Sequence, residues 1–257
     1  DVCSSDLHMP VRVGPDAANP ANMRIHDRMA WGQLADIWTL DNRQYRSYHA
    51  CPDPLKGGGR VVMGCNELAD AQRTLLGMDQ ERWLTQGLNT SQAAWKVVAQ
   101  GTQMSSTGLD TPMGRSAFTD GWDGYPTARR RVTDLLQKHR RTAGNPILLG
   151  GDVHENWVGD IKADYDRPDS QALGAEFCGT SITSRSREPE SLPEKLAENP
   201  HFIFADGYRR GYGICDFTPA GMTTTLRVVD DVENPDAAIS TLARFVVRAG
   251  KTRVERL

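Results

Sequence analysis

Residues 147–157 read Ile147-Leu148-Leu149-Gly150-Gly151-Asp152-Val153-His154-Glu155-Asn156-Trp157. A short all-aliphatic run offers water no polar face, so Ile147 to Leu149 read as a strand buried on both sides, as inside a parallel sheet. Gly150 and Gly151 let the backbone turn sharply at its end and leave room for a ligand. Asp152 and His154, at i and i+2, then bring two side chains able to hold a metal to the tip of a buried strand, where α/β sheets place their ligands. A carboxylate beside an imidazole suits a divalent or trivalent ion. The plain alternative is a surface turn that happens to carry an Asp and a His.

Working outward, Pro126 opens a basic amphipathic helix expected to reach about Ala143, with Val132, Leu135 and Leu136 inward, before Gly144-Asn145-Pro146 stops it. Residues 34–40 and 95–99 read as strands, and Leu75 to Leu88 as a helix with Leu76, Trp83, Leu84 and Leu88 at helical spacing. Residues 104–121, rich in Ser, Thr, Gly and Asp, read as a loop. Downstream, Gly174 to Cys178 reads as a strand and 188–199 as a Glu/Pro-rich linker with a short helix. Further strands are expected at 211–217, 223–229 and 244–247. Strand–helix–strand alternation followed by strands argues for a layered α/β sandwich.

The 257 residues carry 33 acidic against 30 basic groups, a net charge of −3, and 39% are hydrophobic. That balance excludes a disordered or collagen-like chain and leaves no global basic field to attract nucleic acid or an anionic membrane. No stretch approaches the roughly 18 to 20 apolar residues of a membrane span. Asp1 to Leu7 resemble translated adapter sequence, so residues 1–7 are expected to be non-native and 8–257 to be the protein proper. Among Cys3, Cys51, Cys65, Cys178 and Cys215 there is no CxxC pair, which argues against a zinc finger or thioredoxin-type site. Cys51 and Cys65 flank a Pro/Gly-rich loop. A bridge there would stabilise the loop in an oxidising compartment; two free thiols are the alternative.

Other segments fall in a telling order: Leu40-Asp41-Asn42-Arg43-Gln44-Tyr45-Arg46, Ala94-Trp95-Lys96-Val97-Val98-Ala99-Gln100, Trp122-Asp123-Gly124-Tyr125, Glu176-Phe177-Cys178-Gly179-Thr180-Ser181-Ile182-Thr183-Ser184, and Asn199-Pro200-His201 with Arg210-Gly211-Tyr212. Together with Asp152-Val153-His154 they resemble the C-terminal portion of the catalytic domain of the alkaline phosphatase D (PhoD-like) family of metallophosphoesterases, from about His8 to the end. The resemblance implies an α/β fold, the calcineurin-like metallophosphoesterase two-sheet sandwich flanked by helices, here N-terminally truncated. It also implies hydrolysis of phosphate esters, of the alkaline phosphatase or phosphodiesterase type. Iron and calcium would act as Lewis acids and lower the pKa of the attacking water. Asp152 and His154 would be metal ligands and so part of the catalytic centre, Asp152 hardening its site toward calcium and His154 serving as a neutral nitrogen donor.

The superfamily's earlier ligands, an Asp on the first strand, a second Asp with a nearby Tyr and an Asn-His/Glu-type loop, have no counterpart before Asp36. The chain is therefore expected to be an incomplete fragment, inactive alone, that supplies one side of a metal centre. The rival is a non-catalytic phosphate- or partner-binding module with an eroded metal site. A serine hydrolase built on Ser181 and Ser184 lacks the G-x-S-x-G elbow.

Secondary candidates for substrate contact or support are Arg43, Asn156, Asp123, Glu176, Arg210 and Tyr212. Arg43 suits either a substrate phosphate or a structural salt bridge, Asp123 either bracing the site or capping a helix. Glu176, on a buried-looking strand, needs a partner. Trp157 reads as core, His201 as a loop histidine, and His8, His26, His49 and His139 carry no pattern. The expected substrate is a small phosphate ester or a cell-envelope phosphodiester, with no specific nucleic-acid binding. The expected location is extracytoplasmic, periplasmic or secreted.

Overall fold

The computed structural model describes residues 24–139, 144–167, 169–184 and 191–257. The expectations for residues 1–7 and His8, for the helix tail at 140–143 and for the start of the 188–199 linker lie outside them.

In chain order the first half contains β1 (Asp27–Trp31), β2 (Ala35–Thr39), β3 (Val61–Val62), α1 (Met78–Thr90), β4 (Trp95–Ala99), β5 (Ala117–Phe118) and α2 (Pro126–His139). The second half contains β6 (Asn145–Gly150), β7 (Asn156–Lys162), β8 (Ala172–Cys178), α3 (Leu192–Glu198), β9 (Phe202–Asp206), β10 (Arg210–Phe217), β11 (Gly221–Val229), β12 (Ile239–Arg248) and β13 (Glu255–Arg256). A mixed seven-stranded sheet runs β1-β2-β4-β6-β8-β7-β9, and an antiparallel four-stranded sheet runs β10-β11-β12-β13. β3 pairs with β5 as a separate small ribbon.

The chain is thus a mixed α/β protein, layered as the strand–helix alternation suggested. Side chains alternate across β4: Val98 joins Trp38, Leu148, Leu84, Leu88 and Val132 in a core beneath the helices. Trp95 and Val97 join Ile147, Phe177, Met222, Phe245 and Val247 in a second core between the two sheets. Burial on both faces explains why Ile147-Leu148-Leu149 carries no polar alternation.

The main departures have local causes. The first helix starts at Met78, after Leu75 and Leu76, because Thr74 Oγ1 accepts the Leu76 and Gly77 N–H groups and Gly77 turns the chain at φ 77°. Asn145 and Pro146 belong to β6 and do not merely end the preceding helix. Asn145 Nδ2 donates to the Arg248 and Lys251 carbonyls and so ties the strand to the second sheet.

Strands β2, β4, β6 and β8 lie parallel, with Val97 beside Ile147 and Ile147 beside Ala175. Their carboxyl ends therefore share one edge, and the chain leaves that edge at residues 40–46, 100–107, 150–155 and 179–184. In sheets of this kind ligands bind at that edge.

Candidate functional site

The loop after β6 carries the sequence's strongest signal and an unusual backbone. Asp152 and His154 adopt left-handed φ values of 73° and 58°, an arrangement costly for a residue with a Cβ and found mostly where function requires it. The glycines play a different part from the one expected. A Cβ on Gly150 would stand 2.5 Å from the Thr102 carbonyl oxygen, so that residue is small to let the loop after β4 approach. Gly151 faces open space, and the strained positions fall on the two candidate ligands. Both side chains are exposed at the sheet edge.

Arg43 comes to this turn from the loop after β2. Asp41 Oδ1 accepts the N–H groups of Arg43 and Gln44, a local turn that projects the arginine outward. Arg43 Nη2 then donates to Asp152 Oδ2 at 3.0 Å, while its Nη1 donates to both oxygens of Asp120 at 2.8 Å. Asp120 Oδ1 also accepts from Arg46 Nη1 at 2.7 Å and lies 2.9 Å from His49 Nε2. Burial would push the Asp120 carboxyl up, but the hydrogen bonds and charges of Arg43 and Arg46 outweigh it and bring it down to about 2.

Behind the turn, the His154 carbonyl accepts from Thr180 Oγ1 at 3.1 Å and from Arg210 Nη1 at 3.0 Å. Arg210 is buried and also donates to the Ser184 and Gly207 carbonyls, so it staples the turn to the loop after β8. Asn156 is buried too. Its Oδ1 accepts the Thr180 N–H at 3.3 Å, and its Nδ2 has no partner among the described residues. Tyr212 stands exposed on β10.

Glu176 and Asp123 work one layer deeper, on the loop after β4. Glu176 accepts the N–H groups of Met104 at 2.6 Å and Ser105 at 2.8 Å; burial raises its pKa, though these bonds oppose the rise. Asp123 accepts the Thr107 N–H at 3.1 Å and pairs with Arg129 at 2.5 Å. His201 lies in the turn before β9, a loop histidine as read, but it is buried, with Nε2 3.0 Å from the Ser106 carbonyl oxygen and its ring edge-on to Tyr165. Trp157 is core, packed on Phe202. Cys51 and Cys65 form a disulfide.

The structure therefore brings Arg43, Asp152 and His154 to one edge, places Asn156 and Arg210 in direct support, and sets Glu176 and Asp123 behind a neighbouring loop. Asp120, Arg46 and His49 are additions. Arg46 stood inside a recognised motif three positions after Arg43, whereas Asp120 and His49 carried no signal of spacing or composition.

An iron–calcium centre needs more donors than this edge provides. Among the described residues no group of three or more His, Cys, Asp or Glu side chains is placed to hold a metal ion. The Asp152 carboxylate is moreover occupied by a guanidinium. Asp152 and His154 have suitable chemistry for ligands, but the described residues do not complete such a site.

The fold and the site together define an α/β protein whose candidate chemistry sits on the carboxyl edge of parallel strands. A family model described as PhoD-like phosphatase matches residues 7–226, and the chain belongs to that family. It is 36% identical over 253 residues to alkaline phosphatase D of Bacillus subtilis (strain 168), an alignment covering 97% of this chain and 42% of that protein. A solved structure described as that of PhoD superposes with a TM-score of 0.83 at 32% identity, covering 99% of this chain and 47% of the other. The chain thus spans less than half the length of these relatives.

Proposed function

We propose that the protein hydrolyses phosphate esters in a metal-dependent reaction, with Asp152 and His154 contributing to the metal centre and the remaining donors lying outside the described residues. The observation that carries this reading is the family match, which includes the strained Asp152-Val153-His154 turn on the sheet's carboxyl edge. Iron and calcium are the ions proposed for the centre. Arg43, half exposed between two carboxylates, is the group proposed to meet the substrate's phosphoryl oxygens, a task its planar donor fork suits. Arg210 and Asn156 fix the turn and the loop after β8, Glu176 and Asp123 fix the loop after β4, and Tyr212 borders the site from β10. Small phosphate monoesters and cell-envelope phosphodiesters are the proposed substrates.

The Cys51–Cys65 disulfide supports an extracytoplasmic location, since such bonds persist in oxidising compartments. No helix among the described residues is long and apolar enough to cross a membrane.

The rival reading, a non-catalytic phosphate- or partner-binding module with an eroded metal site, draws support from the Arg43–Asp152 pair, which fills the first candidate ligand. Metal analysis and turnover separate the two. The protein is assayed with p-nitrophenyl phosphate and its bis-ester, iron and calcium added, before and after Asp152→Ala and His154→Ala. The proposal expects bound metal and turnover that both substitutions remove. Absence of metal and turnover from the protein with its complete coding sequence favours the rival.

A further inference from the structure

The geometry points to Asp120 as a positioning residue that holds the Arg43 guanidinium in place to bind a phosphoryl group, an assignment that rests on the phosphatase reading above. Arg43 reaches the edge on a long side chain with many rotamers, so binding an anion there would cost rotamer freedom unless something has already fixed it. Asp120 is built to do that. Both its oxygens accept from Arg43 Nη1 at 2.8 Å, and Asp152 takes Nη2 at 3.0 Å, which sets the plane of the guanidinium.

Asp120 is itself anchored from the far side. Arg46 Nη1 donates to its Oδ1 at 2.7 Å, and His49 Nε2 lies 2.9 Å from the same atom. Its backbone is fixed next to the β3–β5 ribbon, where Thr119 N–H donates to the Arg60 carbonyl at 2.9 Å and Arg60 N–H to Thr119 Oγ1 at 3.0 Å. Gly59 lies so close that a Cβ there would overlap the Asp120 Cβ.

Exposure divides the cluster into clamp and tool. The Arg43 side chain is 47% exposed, against 20% for Asp120, 21% for Arg46 and 14% for His49. The outer guanidinium can therefore meet a ligand, while Asp120, Arg46 and His49 stay behind it; Asp152, the other carboxylate on the guanidinium, is exposed beside it. Arg46 balances the Asp120 charge, so Arg43 is aimed without being neutralised by Asp120 alone. Burial opposes its charge, but the hydrogen bonds and charges of Arg43 and Arg46 outweigh that and keep Asp120 ionised across the neutral range.

The test measures binding of inorganic phosphate by calorimetry alongside p-nitrophenyl phosphate turnover, in the wild-type protein, Asp120→Asn, Arg43→Ala and the double variant. Each single substitution is expected to weaken phosphate binding by about tenfold or more, since each removes charge-assisted hydrogen bonds. The double variant should be no weaker than Arg43→Ala, because a positioning residue acts only through the group it positions. Asp120→Glu should restore part of the loss.

Additive losses, or a phosphate affinity unchanged in Asp120→Asn, would overturn the assignment. Should Asp120→Asn fail to fold, Gly59→Ala displaces Asp120 without removing a charge and is expected to weaken phosphate binding in the same direction. An unchanged affinity there counts against the assignment. If phosphate binding follows this pattern but no ester is hydrolysed, the phosphatase reading fails and the positioning role stands. If esters are hydrolysed and phosphate affinity ignores Asp120, the reverse holds, and a wild type that does neither sinks both.

Discussion

Arg210 Nη1 donates to the carbonyl oxygen of His154 at 3.0 Å, reaching back 56 positions from a side chain that is 2% exposed. Thr180 Oγ1 donates to the same oxygen at 3.1 Å. Together they hold in place a turn whose residues 152 and 154 would relax out of the left-handed region if freed. The strain is thus local, while the groups that maintain it come from the loop after β8 and the start of β10.

That arrangement separates stability from activity at position 154. Glycine adopts φ 58° without a Cβ penalty, whereas alanine keeps the penalty and loses the imidazole. His154→Gly is expected to be more stable than His154→Ala by about 1 kcal/mol, or roughly 2 to 4 °C in Tm for a chain of this size. Both should lack turnover. Equal melting temperatures for the two variants would show that the turn stores no such strain.

What the sequence revealed and what it hid follow from the range of each interaction. Ile147-Leu148-Leu149, the Pro126 helix start and residues 223–229 of the alternating strand β11 were legible because burial pattern and helix-start chemistry are local. β7 escaped notice: buried on both faces with Gly159 and Asp160 inside it, it shows neither alternation nor an aliphatic run. β1 is exposed throughout and belongs to the sheet only through its pairing with β2. At the site, Asp152 and His154 announce themselves by spacing. Asp120 gains its meaning only from Arg43, 77 positions away, a relation that no spacing within either segment encodes.

Glu176 offers a second stability test. Its two oxygens take the buried Met104 and Ser105 N–H groups, and no other acceptor among the described residues serves them. Glu176→Ala leaves both donors unpaired in the core and is expected to cost about 2 to 5 kcal/mol, read from the urea midpoint. Glu176→Gln keeps one good acceptor and should lose about half as much. A loss under about 1 kcal/mol for the alanine variant would mean that the loop finds other partners.

His201 predicts the direction of acid sensitivity. Burial, opposed by the bond to Ser106, lowers its pKa from 6.5 to about 4. Between those values the unfolded chain binds a proton that the folded protein refuses, so stability falls as pH drops from 6.5 toward 4. The loss attributable to this group approaches roughly 3 kcal/mol at the low end. Glu176, raised by burial, has the opposite sign, so wild type must be compared with His201→Gln. The wild type should lose more stability than the variant between pH 7 and pH 4.5; parallel pH profiles would remove His201 from the account.

The Cys51–Cys65 bond closes a loop with a sequence separation of 14, and that loop contains β3 and the Arg60 backbone that pins Thr119 beside Asp120. By loop-closure entropy a cross-link of this span contributes about 3 kcal/mol, by narrowing the unfolded ensemble. Paired Cys51→Ser and Cys65→Ser substitution, or reduction under conditions that leave the protein folded, should lower the melting temperature by roughly 6 to 12 °C. A purely global loss would leave all amides equally affected. Because β3 pairs only with β5 among the described strands, hydrogen exchange should instead accelerate first at Val62, Ala117 and Thr119, ahead of the central strands β4 and β6. Uniform exchange across the ribbon and the central sheet would show that the disulfide does not brace the Asp120 side of the site.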